Sequence, residues 1–432
     1  MKTVASFIGF LSLAPHVAPY PGSIKLGSRA VQRTQPSRSN NGQAVEVSLT
    51  DWIANTDLQW YSTIEVGTPP QTFTIMYDTG STGLVLPDKG CTSCGNGNLF
   101  DPARSTSFSS LPNAGVYTLL DYSTAATSVP VIAGNNSANC TYVTDVVTLH
   151  GLKSPEQTFA LCNLYPSSFE NVPMDGILGL GISPQASSDN STTPSFWSWY
   201  NSGLLPEPIF SFDLIPGSEM GAELTLGRID HSKYTGEIAY INLDQKATSE
   251  SQLYIVDLTT LFVDDKKVLV TGNYSSNNSS GGGCQAPAPF KPGIAALDTG
   301  TAFLQAPDKQ IAAEIYAQIA PEITEIDPNG AWGAPCAVLD AVAPELLTFS
   351  INNGTGSYFN LTLTRNFFNL GEYPGQPGIC QAVFNHPIIP IADPLGEGRP
   401  VWILGSPLLK EYYTVWDGLN LNVGFAKLVH RW

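Results

Sequence analysis

Charge is scarce in this 432-residue chain: only 13% of its residues are Asp, Glu, Lys or Arg. Bases are scarcer still, 20 Lys and Arg against 37 Asp and Glu, for a net charge of −17. Such a surface repels phosphate backbones, so no nucleic-acid partner is expected. Few bases also leave little to repel once the carboxylates protonate, a composition that tolerates acid. Only five His are present, none in an HExxH-like spacing, which argues against a metal hydrolase. Neither a GxSxG elbow nor a P-loop occurs. Beyond the first residues no run reaches the roughly 18 apolar residues of a membrane helix. The closing FAKLVHRW offers no hydrophobic tail for a lipid anchor, so no membrane association is expected.

What is present suits packed cores. Hydrophobic residues make up 42% of the chain, and a prior of about 150 residues per domain suggests two or three domains. Residues 1–18 read as a secretory signal: Lys2 is the positive start, Val4 to Leu13 the short apolar run, and Ala14 or Ala18 could precede cleavage. Residues 19–45 carry Lys25, Arg29, Arg33 and Arg38 and no acid. A basic segment before an acidic body is a linker or a pro-segment, and the charge asymmetry favours a pro-segment. A secreted, extracellular protein is expected.

Seven cysteines fit an oxidising compartment with one left over. Cys91 and Cys94 are close enough for a small loop. Cys140 and Cys162 flank a turn around Gly151 to Pro155 and come nearly opposite each other if that turn closes a hairpin. Cys336 and Cys380 remain as a third pair, with Cys284 in SSNNSSGGGC as the candidate odd thiol. Eight Asn-x-Ser/Thr sequons occur, at Asn135, Asn139, Asn190, Asn273, Asn277, Asn278, Asn353 and Asn360. Some surface glycosylation is expected, at no site in particular.

The body reads mainly as β. QWYSTIEVG, QTFTIMYD, TYVTDVVTLHG, AELTLGRID and YTVWD are rich in Val, Ile, Thr and aromatics, punctuated by Gly, Pro, Asn and Asp. Helical patterns are confined to Asp308 to Ala320 and to a shorter stretch around Ser195 to Asn201. The decisive feature is an internal duplication. DTGSTGLVLP begins at Asp78 and DTGTAFLQAP at Asp298; each has a later partner at nearly equal distance, Ile177-Leu178-Gly179 and Ile403-Leu404-Gly405. Two similar lobes follow, residues 46–228 and 229–432.

A single DTG is as readily an ordinary turn, since all three residues are turn formers. Two copies on matching lobes change that. Each follows an apolar strand, and the glycine permits a tight turn. A pseudo-twofold axis would then bring two carboxylates to one site. Like charges about 3 Å apart cannot both ionise, so the pair shares a proton. The ionised carboxylate can take a proton from water while its protonated partner polarises a carbonyl. A glycosidase also uses two carboxylates but has no need of two DTG turns.

From about Trp60 to Lys427 the chain resembles the pepsin-like aspartic endopeptidases, of the secreted, fungal acid-protease type. VGTPPQTFTIMYDTGS, MDGILGLG, LTLGRIDHSKYTG, AALDTGTAF and VWILGSPLLKEYYTVWD stand in the family's order. Paired aspartates of that family are the standard example of the shared proton. The resemblance implies a bilobal, mainly β fold with a cleft between the lobes. It implies catalysis by Asp78 and Asp298, supported by Thr79, Gly80, Ser81, Thr299, Gly300 and Thr301. Thr79 and Thr299 would cross-link the two loops, while Ser81 and Thr301 would bond the outer carboxylate oxygens. LLDYSTAATS would supply a flap, with Tyr122, Ser123 and Thr124 against substrate. Val85 departs from the family's usual Trp, Ser123 from its Gly, and Ser406-Pro407 follow the second ILG where Asp is common. No carboxylate stands at Ser123, Thr124 or Ala125, so a broad preference for apolar and aromatic residues is expected rather than one for Lys. A zymogen is implied, monomeric, acting on polypeptides without metal or organic cofactor. The rival reading is a pepsin-fold protein that binds without cleaving; such relatives lose a catalytic Asp, and both are present here.

Overall fold

The computed structural model describes residues 42–53, 57–91, 93–94, 97–111, 116–119, 138–165, 172–182, 193–270, 288–289, 292–354, 357–388 and 390–429. The signal at 1–18, nearly all of the basic segment, Tyr122, Ser123, Thr124 and Cys284 lie outside the described residues. The fold is mainly β and bilobal.

The duplication seen in the sequence is a duplication of topology. In the first half, Ile75–Asp78 pairs in parallel with Gly176–Gly179, and the strand after the DTG turn returns antiparallel, Leu84 opposite Leu178 and Val85 opposite Ile177. In the second, Ile294–Leu297 pairs in parallel with Val401–Leu404, and Leu304 and Gln305 return opposite Leu404 and Ile403. Burial explains the residue types. Gln71–Asp78 begins by alternating buried and exposed positions and ends fully buried, because the ILG strand covers its last residues. The ILG glycines serve chain crossing. A Cβ on Gly179 would lie 2.6 Å from Gly83 N, and one on Gly405 2.1 Å from Phe303 O.

One sheet joins the halves. From Tyr234–Asn242 it runs through the C-terminal strands Asn422–Leu428 and Tyr412–Asp417 to Ile209–Asp213, Ala222–Leu226 and Val45–Ile53, then into the first lobe. The second lobe has its own eight-stranded sheet. Beneath the junction Trp416 stacks on Phe210 with ring centroids 5.9 Å apart and meets Tyr254 edge-on at 4.7 Å. Tyr254 also holds the site from behind, its carbonyl accepting from Leu297 N–H at 3.0 Å.

Both anticipated helices are present. Lys309–Ile319 is capped by Asp308, whose carboxylate accepts from Ile311 N–H, and buries Ile311, Ala312, Ile315 and Tyr316. Ser195–Asn201 buries Phe196, Trp197 and Trp199. Three short helices carry no comparable pattern: Gln245–Ser251, Cys336–Val342 and Ser406–Leu409. Local caps and tertiary contacts make these, not propensity. No helix among the described residues is long and apolar enough to cross a membrane.

Disulfides join Cys91 to Cys94, Cys140 to Cys162 and Cys336 to Cys380. The second spans a hairpin, Ala138–Leu149 with Leu152–Leu164, whose two-residue turn puts both His150 and Gly151 at positive φ.

Candidate active site

Each DTG loop hangs from a buried strand end, and the two loops are tied together by four hydrogen bonds. Thr79 Oγ1 donates to Leu297 O at 2.9 Å and accepts from Thr299 N–H at 3.0 Å. Thr299 Oγ1 donates to Tyr77 O at 2.9 Å and accepts from Thr79 N–H at 3.1 Å. All four bonds are buried, and each threonine does for the opposite loop what its counterpart does in return.

This brace brings Asp78 and Asp298, both buried, into hydrogen-bonding contact with each other. Gly80 N–H donates to Asp78 Oδ1 and Gly300 N–H to Asp298 Oδ1, each at 2.8 Å. Thr301 Oγ1 donates to Asp298 Oδ2 at 2.8 Å. Ser81 differs from its counterpart. Its buried Oγ favours the ionised form of Asp78 from nearby but makes no hydrogen bond of good geometry. The β-branch of Thr301 restricts χ1, a restraint that Ser81 lacks.

The glycines do something other than the turn expected of them. Neither Gly80 nor Gly300 has positive φ. A Cβ on Gly80 would lie 2.4 Å from Asp298 Cγ, and one on Gly300 2.5 Å from Asp78 Oδ1. Each loop therefore lacks a side chain where the other loop's carboxyl sits, so the glycines set how closely the two acids approach.

Burial raises the Asp78 pKa well above the usual carboxylate range, and the charge of Asp298 and the hydrogen bond between them raise it further. The nearby Ser81 hydroxyl and the hydrogen bond from Gly80 N–H act the other way without reversing it. A pair so placed holds one proton over an acidic interval: one oxygen can accept from water while the other acid donates.

Gln59 is a residue the sequence reading missed. Its Nε2 donates to Gly300 O, tying a first-lobe strand to the second DTG loop. It lies well before the first motif, and nothing in its surroundings marks it. Val85, in the place of the family's Trp, is buried among Met76, Cys140, Ala160 and Ile177. Elsewhere Glu46, Glu223 and Asp230 bring ligand atoms within 4.8 Å of one another. Arg228 pairs with Glu46 and Lys233 with Glu223, so these carboxylates already have cationic partners.

The strand supporting the second loop enters from a charged clamp. Arg399 donates from Nη1 to Asp244 at 2.7 Å, and from Nε and Nη2 to the two oxygens of Asp393 at 3.2 Å each. Burial works to raise both acids, but hydrogen bonds, chiefly from Arg399, outweigh it and hold both below the ordinary carboxylate range. A lowered folded pKa gives stability that is present above the unfolded value and lost as pH falls through the folded one. The clamp therefore persists into acid that protonates ordinary carboxylates. Arg399→Met should move the acid unfolding midpoint to higher pH, followed by circular dichroism; an unmoved midpoint would show that the clamp contributes nothing there.

The model of the eukaryotic aspartyl protease family matches residues 59–428. Among curated proteins the chain is 30% identical over 395 residues to cathepsin E-B of Xenopus laevis, covering 90% of this chain and 84% of that one. It is 30% identical over 410 residues to chymosin of Callithrix jacchus, covering 94% and 89%, and 28% identical over 386 residues to pepsin A of Suncus murinus, covering 89% and 84%. With two braced aspartate loops inside the matched region, the chain belongs to the eukaryotic aspartyl protease family and is an aspartic endopeptidase.

Proposed function

We propose that the chain is a secreted acid endopeptidase in which Asp78 and Asp298 activate one water for attack on a peptide carbonyl. The observation that carries this is the pair of buried carboxyls in mutual hydrogen-bonding contact, held by a symmetric brace. With one proton between them, one acid takes the proton of the attacking water and the other donates toward the carbonyl oxygen. A tetrahedral diol forms, and its collapse with proton transfer to the amine breaks the C–N bond. No covalent enzyme intermediate is needed. Thr79 and Thr299 fix the loops, Gly80 and Gly300 set the approach, and Ser81 and Thr301 tune the outer oxygens. Tyr122, Ser123 and Thr124 form the flap over polypeptide substrate, with a broad preference for apolar and aromatic residues.

The protein acts as a monomeric glycoprotein, made as a zymogen with its signal at 1–18, a basic pro-segment at 19–45, and lobes that divide near residue 228. The basic segment lies against the acidic body near neutral pH, and acid releases it by protonating its carboxylate partners. Incubating the secreted precursor near pH 3 should yield a new N-terminus close to residue 45, read by mass spectrometry, and the Asp78→Asn precursor should stay intact. Processing of that variant at the same rate would remove self-cleavage from the account. A cleavage profile selective for Lys on a peptide library would contradict the substrate preference.

A further inference from the structure

The second lobe's sheet ends on the strand Tyr358–Thr364, paired on its inner side only, with Leu346–Asn352. In an antiparallel pair, alternate residues turn their backbone groups away from the partner strand. Thr362 and Thr364 are of this outward kind, as their contacts show. Thr362 N–H donates to Tyr412 Oη at 2.7 Å, and Thr362 O accepts from the same hydroxyl at 3.1 Å. Thr364 N–H donates to Glu411 Oε1 at 2.7 Å. By the same alternation the outward groups at the other end belong to Tyr358 and Asn360. Among the described residues no side chain covers them. Both side chains are exposed, Tyr358 at 68%. Half of this edge is capped by Tyr412 and Glu411, and half is open beside an exposed aromatic ring. An open edge strand is a template for pairing with another chain.

The open half contains Asn360-Leu361-Thr362, an acceptor sequon. We propose that Asn360 carries an N-linked glycan, and that this glycan caps the open half of the edge as Tyr412 and Glu411 cap the rest. The assignment rests on the secretion reading above and deepens it from some glycosylation to one site with a task. The two other sequons whose Asn is described are placed differently. Asn139 sits in a strand paired on both sides, opposite Thr118 and Leu164, so a glycan there would guard no edge. Asn353 is engaged by Asn242, its Oδ1 accepting from Asn242 N–H at 3.0 Å and its carbonyl from Asn242 Nδ2 at 3.0 Å. At Asn360 a bulky polar chain projects into solvent and displaces nothing.

The test is secretion of the full chain from a eukaryotic host, enzymatic removal of N-glycans in heavy-oxygen water, and mass spectrometry of the peptide spanning 358–364. Asn360 should be converted to Asp with uptake of the label, and Thr362→Ala should abolish the conversion. Secreted protein with unmodified Asn360 overturns the proposal while leaving secretion standing; unmodified protein retained in the cell overturns both. The capping role has its own readout. Asn360→Gln should sediment as a concentration-dependent oligomer where wild type does not, and adding Tyr358→Lys should restore the single species. A glycosylated wild type and an Asn360→Gln variant with the same sedimentation would overturn the capping role.

Discussion

Replacing either dyad glycine by alanine should cost at least about 10²-fold in kcat, because a misplacement of about an ångström at the reacting groups has that effect. The new methyl of Gly80→Ala would overlap the Asp298 carboxyl, 2.4 Å from its Cγ, and that of Gly300→Ala would overlap Asp78 Oδ1 at 2.5 Å. A buried aspartate side chain is too short to swing clear while keeping its bonds. The carboxyl must shift, which opens the contact through which the pair shares a proton. Gly83→Ala is the internal control, since it lies in the same loop with nothing within 4 Å of the added Cβ. Its kcat should stay near wild type. Equal losses in all three variants would mean that alanine acts through general loop stiffness, and the steric account would fail.

The second large effect concerns stability. Thr79→Val keeps the shape but removes the donor to Leu297 O and the acceptor for Thr299 N–H, leaving two buried backbone groups without these partners. The cost is about 2–6 kcal/mol, from about 1–3 for each of the two buried groups left unsatisfied. Thr299→Val should cost a similar amount through Tyr77 O and Thr79 N–H. Because the four bonds form one unit, the double variant should fall short of the sum of the singles by about 0.5–3 kcal/mol. Denaturant unfolding of all four proteins measures this. Strict additivity would mean that the two loops are braced independently.

The sequence disclosed most of the dyad because duplication is a long-range signal that one strand of text can carry. Two DTG motifs and two ILG partners, in order, imply a twofold arrangement whatever the loops between them do. The reason for the glycines was misread. A turn requirement is local and would appear as positive φ, whereas Gly80 and Gly300 make room for a carboxyl of the opposite loop, about which local sequence says nothing. Gln59 and Arg399 escaped for the same cause: their partners, Gly300, Asp244 and Asp393, are brought to them by folding. The Cys140–Cys162 bridge was readable because a hairpin turn sets its own register. The short helices at Gln245–Ser251 and Cys336–Val342 were not, being products of an aspartate cap and of tertiary packing.

The central claim is that Asp78 and Asp298 act as one proton-sharing pair. It is tested most directly by proteolysis of a denatured protein substrate from about pH 2 to 7. Acid-activated wild type would be compared with Asp78→Asn and Asp298→Asn domains supplied without the basic segment, with a pepstatin-like inhibitor as a further arm. The account predicts acid-side activity in wild type, lost toward neutral pH as the raised Asp78 carboxyl gives up the shared proton. It predicts a fall of at least about 10³-fold in each variant at every pH, and the same loss with inhibitor. Substantial activity in either folded variant would contradict it, and a folded, processed wild type that cleaves nothing would assign this fold to binding.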